Sequence, residues 1–287
     1  MLVEKEDLVE TKLTNLILRI ISSFLLLLFF YSLISEEKFL FLIAIHFLIS
    51  LSLWEILRLS NFRKLNNISS DSNGFFLTRQ KITFFDYLLI IILNLLCFFL
   101  IYNSYLFFYI FFAFLLFFLF IQKISLEKLF GTIYISLPIF FLILLSDDQN
   151  FKTYVFFIIF YTIATDISSF FVGKLIGGPK LAPKISPGKT ISGSLGGFFI
   201  PAFLCTVYFF NYEISFFLIF FTSIFFSLIV QTGDLVESYY KRCCFVKESS
   251  NLIPGHGGVL DRFDGFLLLI FFVYILKIFN FNFYFIM

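Results

Sequence analysis

Charge is what this chain has least of. Asp, Glu, Lys and Arg make up 14% of its 287 residues, against about 25% in a soluble domain. Histidine occurs twice, at His46 and His256, which is too few for a His-built metal centre. The four cysteines, Cys97, Cys205, Cys243 and Cys244, form no Cys-x-x-Cys pair. That excludes a zinc knuckle, a dithiol redox motif and a disulfide scaffold. The net charge of +2 is too small to argue for nucleic acid. Hydrocarbon fills the gap: the chain is 60% hydrophobic, carries 50 Phe and has a mean hydropathy of +0.98. A water-soluble core stops growing near ~250–300 residues and cannot hide such a load. The natural solvent of this sequence is lipid.

A helix needs roughly 20 apolar residues to cross a bilayer core. Measured against that length, the sequence predicts nine spans, over 13–34, 39–57, 82–102, 104–121, 129–145, 151–172, 193–212, 214–231 and 265–283. Spans three and four part only near Asn103 and Ser104, as a tight helical hairpin. The expected fold is all-α and polytopic. It comprises N-terminal spans (1–128), a middle region ending in a basic Gly/Pro-rich loop (129–192) and a C-terminal region with a second polar loop (193–287). The crossings sort the polar segments into two alternating sets, with 18 Lys and Arg in one and 3 in the other. Lys and Arg favour the cytoplasmic side, so the N-terminus is expected inside and the C-terminus outside. The first apolar run is too long for a secretory signal and no small-residue cleavage site follows it. The outer connections are short and lean acidic, so any chemistry is expected on the cytoplasmic face. Most Phe reads as lipid-facing filler, His46 as a packing histidine, and Trp54 with Glu55 and Arg58 as an interfacial anchor.

Two inner segments break the apolar pattern. The first, 166–197, holds seven of the fourteen Gly, Pro179, Pro183 and Pro187, and Lys174, Lys180, Lys184 and Lys189. Glycine lets backbone approach a ligand, and lysine with exposed N–H groups suits phosphate; contact with anionic lipid heads is the plainer reading. Gly188-Lys189-Thr190 imitates the end of a P-loop, but Pro183 occupies the first glycine position and the sequence predicts no strand before it, so an ATPase is not indicated. The second segment, 233–265, mixes acids at 234, 237, 248, 261 and 264 with bases at 241, 242, 247 and 262. Acids at the rim of hydrocarbon are costly and are normally paired or functional. Asp234, expected at the end of span eight, and Asp261, at the start of span nine, are suited to cage a hard cation such as Mg2+. Pairing of Asp234 with Lys241 or Arg242, and capping by Asp261, are the structural alternatives. Asp166 is a third intramembrane acid, either a counter-ion for Lys174 or a lining group of a polar cavity.

Together these segments resemble the phosphatidate cytidylyltransferases, or CDP-diglyceride synthases. The residues that carry the resemblance are Gly233-Asp234, Ser238, Lys241-Arg242, Lys247-Glu248, His256-Gly257-Gly258 and Asp261-Arg262-Phe263-Asp264, with Ser186-Pro187-Gly188-Lys189-Thr190 upstream. Asp166, Phe171 and Gly173 match the segment leading into it, so the likeness covers Asp166 to Gly265. Glu248 stands where the family usually has Asp, Ser192 where it commonly has Glu, and Tyr240 where an aliphatic residue or Phe is usual.

The resemblance implies nucleotidyl transfer: CTP and phosphatidic acid give CDP-diacylglycerol and pyrophosphate, in phospholipid synthesis. It implies Asp234, Asp261 and Asp264 as ligands of Mg2+, with a second cation suited to an in-line displacement. Lys241, Arg262 and His256 join Asp234 and Asp261 as expected catalytic residues. Ser186, Lys189, Thr190, Ser238, Arg242, Lys247 and Asp166 are expected to bind substrate. It also implies a homodimer. The alternatives are a transporter of an anionic solute, or another membrane lipid phosphotransferase or kinase.

Overall fold

The computed structural model describes residues 2–35, 37–66, 82–102, 105–121, 125–210, 214–250, 252–253 and 257–279. Among them the chain is helical almost throughout: α1 (Leu2–Ile34), α2 (Lys38–Asn66), α3 (Phe84–Ile101), α4 (Tyr105–Ile121), α5 (Leu126–Leu145), α6 (Phe151–Ile176), α7 (Ile191–Tyr208), α8 (Phe216–Cys243) and α9 (Leu260–Ile278). One two-stranded antiparallel hairpin, β1 (Lys180–Ala182) and β2 (Ser186–Thr190), separates α6 from α7. Seven of the described helices, α1, α2, α3, α5, α6, α7 and α8, are long and apolar enough to cross a bilayer. The protein is an all-α, multi-pass membrane protein. The junction at Asn103–Ser104 and His256 lie outside the described residues.

The chain forms two compact units. The first comprises 1–132 and 248–261. In it α1 packs on α2, α2 on α3 and α3 on α4. Leu48, Ile49, Leu53 and Leu57 of α2 and Leu89, Leu93 and Leu96 of α3 are buried. His46, expected to be a packing residue, has a polar partner. Its Nδ1 lies 2.7 Å from Asn94 Oδ1, which also accepts from Ser50 Oγ at 3.2 Å. Hydrogen bonding between helices substitutes for water in lipid. Lower on the same helices, Asp86 closes a capping box with Thr83 at the start of α3 and pairs with Lys128 of α5, while Asn61 of α2 donates to it at 2.9 Å. This buried ion pair ties three helix ends together.

The second unit comprises 133–247 and 262–287, with α6 packed on α7, and α8 on both. Four of the glycines that made 166–197 read as a ligand loop are helix contacts instead. A Cβ on Gly193 would stand 2.6 Å from the Ser169 carbonyl and 3.1 Å from Gly173 Cα; one on Gly196 would meet Val172, and one on Gly197 would meet Gln231 at 2.6 Å. Small residues let helix backbones approach closely in lipid, where hydrophobic driving force between helices is weak. Helix α6 therefore runs on to Ile176 and α7 begins at Ile191, leaving only the hairpin as non-helical chain. Thr190 caps α7, its Oγ1 accepting from the Gly193 N–H at 3.1 Å. Ser192 bonds the Gly177 carbonyl and Thr190 Oγ1, closing the base of the hairpin.

At the opposite end of α9, Lys277 pairs with Asp148 at 2.6 Å. Burial alone would raise the Asp148 carboxyl. The hydrogen bond from Lys277, the Asn150 N–H and the Lys277 charge outweigh it and hold the group below its ordinary value of 3.8. A depressed folded-state pKa contributes stability that is present above the unfolded value and lost as pH falls through the folded one. The melting temperature of Asp148→Asn should therefore lie below the parent's at neutral pH, and the gap should close below pH ~3.8. Thermal unfolding of both proteins across pH checks this; a constant gap would contradict the pairing.

Candidate active site

The second unit gathers most of the residues that the sequence singles out. Helix α8 does not stop near 231 but continues to Cys243, so Asp234 sits within the helix, one turn before Ser238. The helix continues because Asp234, Glu237, Ser238 and Lys241 fall at spacings of three and four, on neighbouring positions of its surface. Two of them form the pair Glu237–Lys241, at 2.6 Å and largely buried. Lys189 reaches from β2 to pair with Asp234. The alternative pairing with Lys241 or Arg242 is thus replaced by one with Lys189. Ser238 Oγ lies 3.5 Å from Asp234 Oδ1.

Around Asp234 the charges are dense. Asp166 of α6 lies within electrostatic reach of Asp234, Lys189 and Arg262. Asp264 of α9 lies within reach of Asp234, Glu237 and Asp166. Glycine explains how α8 and α9 come so close here. A Cβ on Gly233 would sit 2.8 Å from the Asp264 carbonyl and 3.0 Å from Gly265 Cα, and one on Gly265 would meet the Val230 carbonyl at 3.0 Å. Each glycine adjoins an acid, so backbone contact brings Asp234 and Asp264 side by side. Tyr134 of α5 bridges the same place, its Oη donating to the carbonyls of Gly233 at 3.4 Å and Asp264 at 3.3 Å.

Other expected phosphate-binding groups have partners of their own. Arg242 donates from Nε to the Ile185 carbonyl at 3.0 Å and from Nη1 to the Val246 carbonyl at 3.0 Å, which fastens the tip of the β-hairpin to the end of α8. Thr190 serves as a helix cap. Ser186 begins β2, where it pairs with Ala182. Lys247 and Arg262 are exposed.

Asp261 belongs to the first unit. Its carboxylate accepts the Ser249 N–H at 3.1 Å and the Gly258 N–H at 2.9 Å, so it holds the signature segment together as well as starting α9. Gly257 has φ 85°, a left-handed conformation natural to glycine, and a Cβ there would lie 2.8 Å from Asp261 Oδ2. Sequence reading missed Glu55 and Arg58 of α2. Both contact Ser249 in this unit. The available signal was the one applied to Asp166 and Asp234: an acid inside an apolar helix is seldom idle.

Among the described residues no three His, Cys, Asp or Glu side chains form a ready-made metal cage. The donor chemistry nevertheless fits Mg2+, which takes one or two hard carboxylates and fills its octahedron with water and substrate phosphate. Acids outnumber bases among Asp166, Lys189, Asp234, Arg262 and Asp264, so a cation would balance the neighbourhood.

A family model, described as the cytidylyltransferase family, matches residues 17–279. The chain belongs to this family. Among its relatives, a phosphatidate cytidylyltransferase of Bacillus subtilis is 41% identical over 149 residues, covering 51% of this chain and 55% of the relative. Another from Rickettsia bellii is 43% identical over 153 residues, covering 49% of this chain and 64% of the relative. One from Rickettsia conorii is 40% identical over 166 residues, with coverage of 53% and 70%. The matched stretch thus spans about half to two thirds of the length of the first two relatives. Family membership accords with the resemblance read from the signature residues.

Proposed function

We propose that the chain is a phosphatidate cytidylyltransferase, a nucleotidyltransferase that converts CTP and phosphatidic acid to CDP-diacylglycerol and pyrophosphate. The observation that carries this reading is the meeting of Asp166, Asp234 and Asp264 with Lys189 and Arg262 in a chain of the cytidylyltransferase family. One substrate is a lipid and the other a soluble polyanion, so the reaction belongs at a membrane interface. We place it on the cytoplasmic face of a bacterial inner membrane, with nine crossings, the N-terminus inside and the C-terminus outside. The Lys and Arg asymmetry supports this orientation, and the bacterial sources of the relatives support the choice of membrane. A homodimer rests on the resemblance alone.

A phosphate oxygen of phosphatidate attacks the α-phosphorus of CTP; the bond to the bridging oxygen breaks and pyrophosphate leaves. A phosphomonoester has its second pKa near ~6, so the nucleophile is already largely ionised at neutral pH and no strong base is required. The barrier lies in bringing anions together, which makes catalysis a matter of positioning and charge neutralisation. Lys189 and Arg262 are assigned to phosphate oxygens, Arg262 with the bidentate geometry that guanidinium permits. Exposed Lys247 receives the soluble nucleotide. Lys241, held by Glu237, and Arg242, held by two carbonyls, set the shape of the surrounding backbone. His256 is assigned to pyrophosphate on the motif alone. Mg2+, which Asp234 and Asp264 would hold, with Asp261 assigned to it on the motif alone, would supply positive charge at the reacting phosphates, and a second cation suits the leaving group.

Purified protein supplied with Mg2+, CTP and phosphatidic acid should release pyrophosphate and form CDP-diacylglycerol, whereas ATP with diacylglycerol should yield no phosphorylated lipid. Mass spectrometry of the lipid product decides. Folded protein that makes no CDP-diacylglycerol across several lipid and metal conditions would refute the assignment.

A further inference from the structure

Within the first unit, two carboxylates accept from donors of residues 249–250 and 258–260. Glu55 of α2 has 0% exposure. Its Oε2 accepts from Ser249 Oγ at 2.9 Å and the Leu260 N–H at 2.7 Å; its Oε1 accepts from the Val259 N–H at 2.9 Å and from Ser250 Oγ. Asp261 takes the neighbouring Ser249 and Gly258 N–H groups. One turn along α2, Arg58 lies 4.8 Å from the centre of the Trp54 ring and donates to the Ser249 carbonyl. Ser249 is thereby gripped through its N–H by Asp261, through its hydroxyl by Glu55 and through its carbonyl by Arg58. Gly258 is shaped by the same contact: a Cβ would lie 2.6 Å from Glu55 Oε1 and collide with Ser249 Oγ.

An interfacial anchor would point its charge at water. Glu55 does the reverse, and it satisfies two N–H groups at the entry to α9 that helix geometry leaves without partners. Buried acids persist where donors surround them, and here the donors belong to the segment that presents Asp261. We propose that Glu55, assisted by Arg58, is the positioning residue of this segment: it fixes the backbone from which Asp261 projects, and so sets divalent-cation affinity and turnover without touching substrate. The inference rests on the function proposed above. Partners that orient a metal-binding group typically contribute 10–100-fold in metal affinity or activity.

Glu55→Gln keeps the side-chain shape but replaces one acceptor oxygen by an NH2 donor, which must face a backbone N–H. The full-length variant and the parent are compared in three measurements: amide exchange over 249–261, the Mg2+ concentration giving half-maximal thermal stabilisation without substrates, and kcat and KM for CTP. Exchange should rise about tenfold or more, the Mg2+ midpoint should rise roughly 10–100-fold, and kcat should fall by a similar factor while KM for CTP changes little. Parental exchange would overturn the clamp. Fast exchange with a parental Mg2+ midpoint and kcat would overturn its positioning role. Should Glu55→Gln fail to fold, Ser250→Ala removes one of the four donors and should show the same shifts in smaller measure; unchanged values there overturn the proposal. If the parent makes no CDP-diacylglycerol, the functional assignment fails, while exchange and the Mg2+ midpoint still decide the clamp.

Discussion

Asp234→Asn should lower the rate of CDP-diacylglycerol formation by roughly 10²–10³-fold, the range found when one preorganised charge-stabilising group is removed from a site, with the protein still folded. Asparagine preserves the shape of the side chain and the helix that carries it. What it removes is the negative charge that pairs with Lys189 and that Asp166 and Asp264 face. Two opposed consequences follow. Repulsion among the acids is relieved, which favours the folded state. Lys189 loses its counter-charge, and a divalent cation loses a hard ligand. Loss of turnover without loss of melting temperature is therefore the expected signature. A stopped assay for labelled CDP-diacylglycerol, with unfolding followed on the same sample, would separate the two. Near-parental turnover would remove Asp234 from the chemistry and leave its bridge to Lys189 as a purely structural tie.

Gly233→Ala should be nearly as damaging, for a different reason. The added methyl meets the Asp264 carbonyl at 2.8 Å and Gly265 Cα at 3.0 Å, and backbone cannot rotate away as a flexible side chain would. Helices α8 and α9 must separate by a fraction of an ångström or more. Overpacking of this kind costs about 1–3 kcal/mol, equivalent to a melting-temperature loss of about 2–4 °C per kcal/mol for a chain of this size class. The catalytic cost is larger, because a misplacement of about 1 Å at a reacting centre can cost about 10²-fold. A fall in kcat of that order, with only a modest drop in melting temperature, is expected. Parental kcat in Gly233→Ala would show that close approach of α8 and α9 is not needed for turnover.

The helical, membrane-embedded character was legible because hydropathy is a local property: 20 apolar residues advertise a span wherever they lie. Each of the nine expected spans overlaps a described helix. The far end of α8 was not legible, since polar residues at 231–243 ended the apolar run without ending the helix. Nor was the role of Gly173, Gly193, Gly196 and Gly197. A glycine that admits a ligand and one that admits a neighbouring helix look alike until the neighbour is known. For the site, Asp166, Lys189, Asp234, Arg262 and Asp264 could be nominated from residue type and motif. The Lys189–Asp234 pair could not, because it joins residues from separate segments and Lys241 was an equally good partner on paper. Glu55 was read as an anchor because its donors lie in a part of the chain that no local window includes.

That distance bears on how the protein is made. The donors to Glu55 lie 194 to 205 residues further along the chain. When α2 enters the membrane, the ribosome has yet to synthesise them. An uncompensated acid in an apolar helix carries a penalty of roughly 2.5–3.5 kcal/mol on insertion scales, and α2 bears it until those donors are made. The early helix is thus inserted in a provisional state, to be completed only when residues 249–260 emerge, and a chain truncated before residue 249 would leave that acid without its partners.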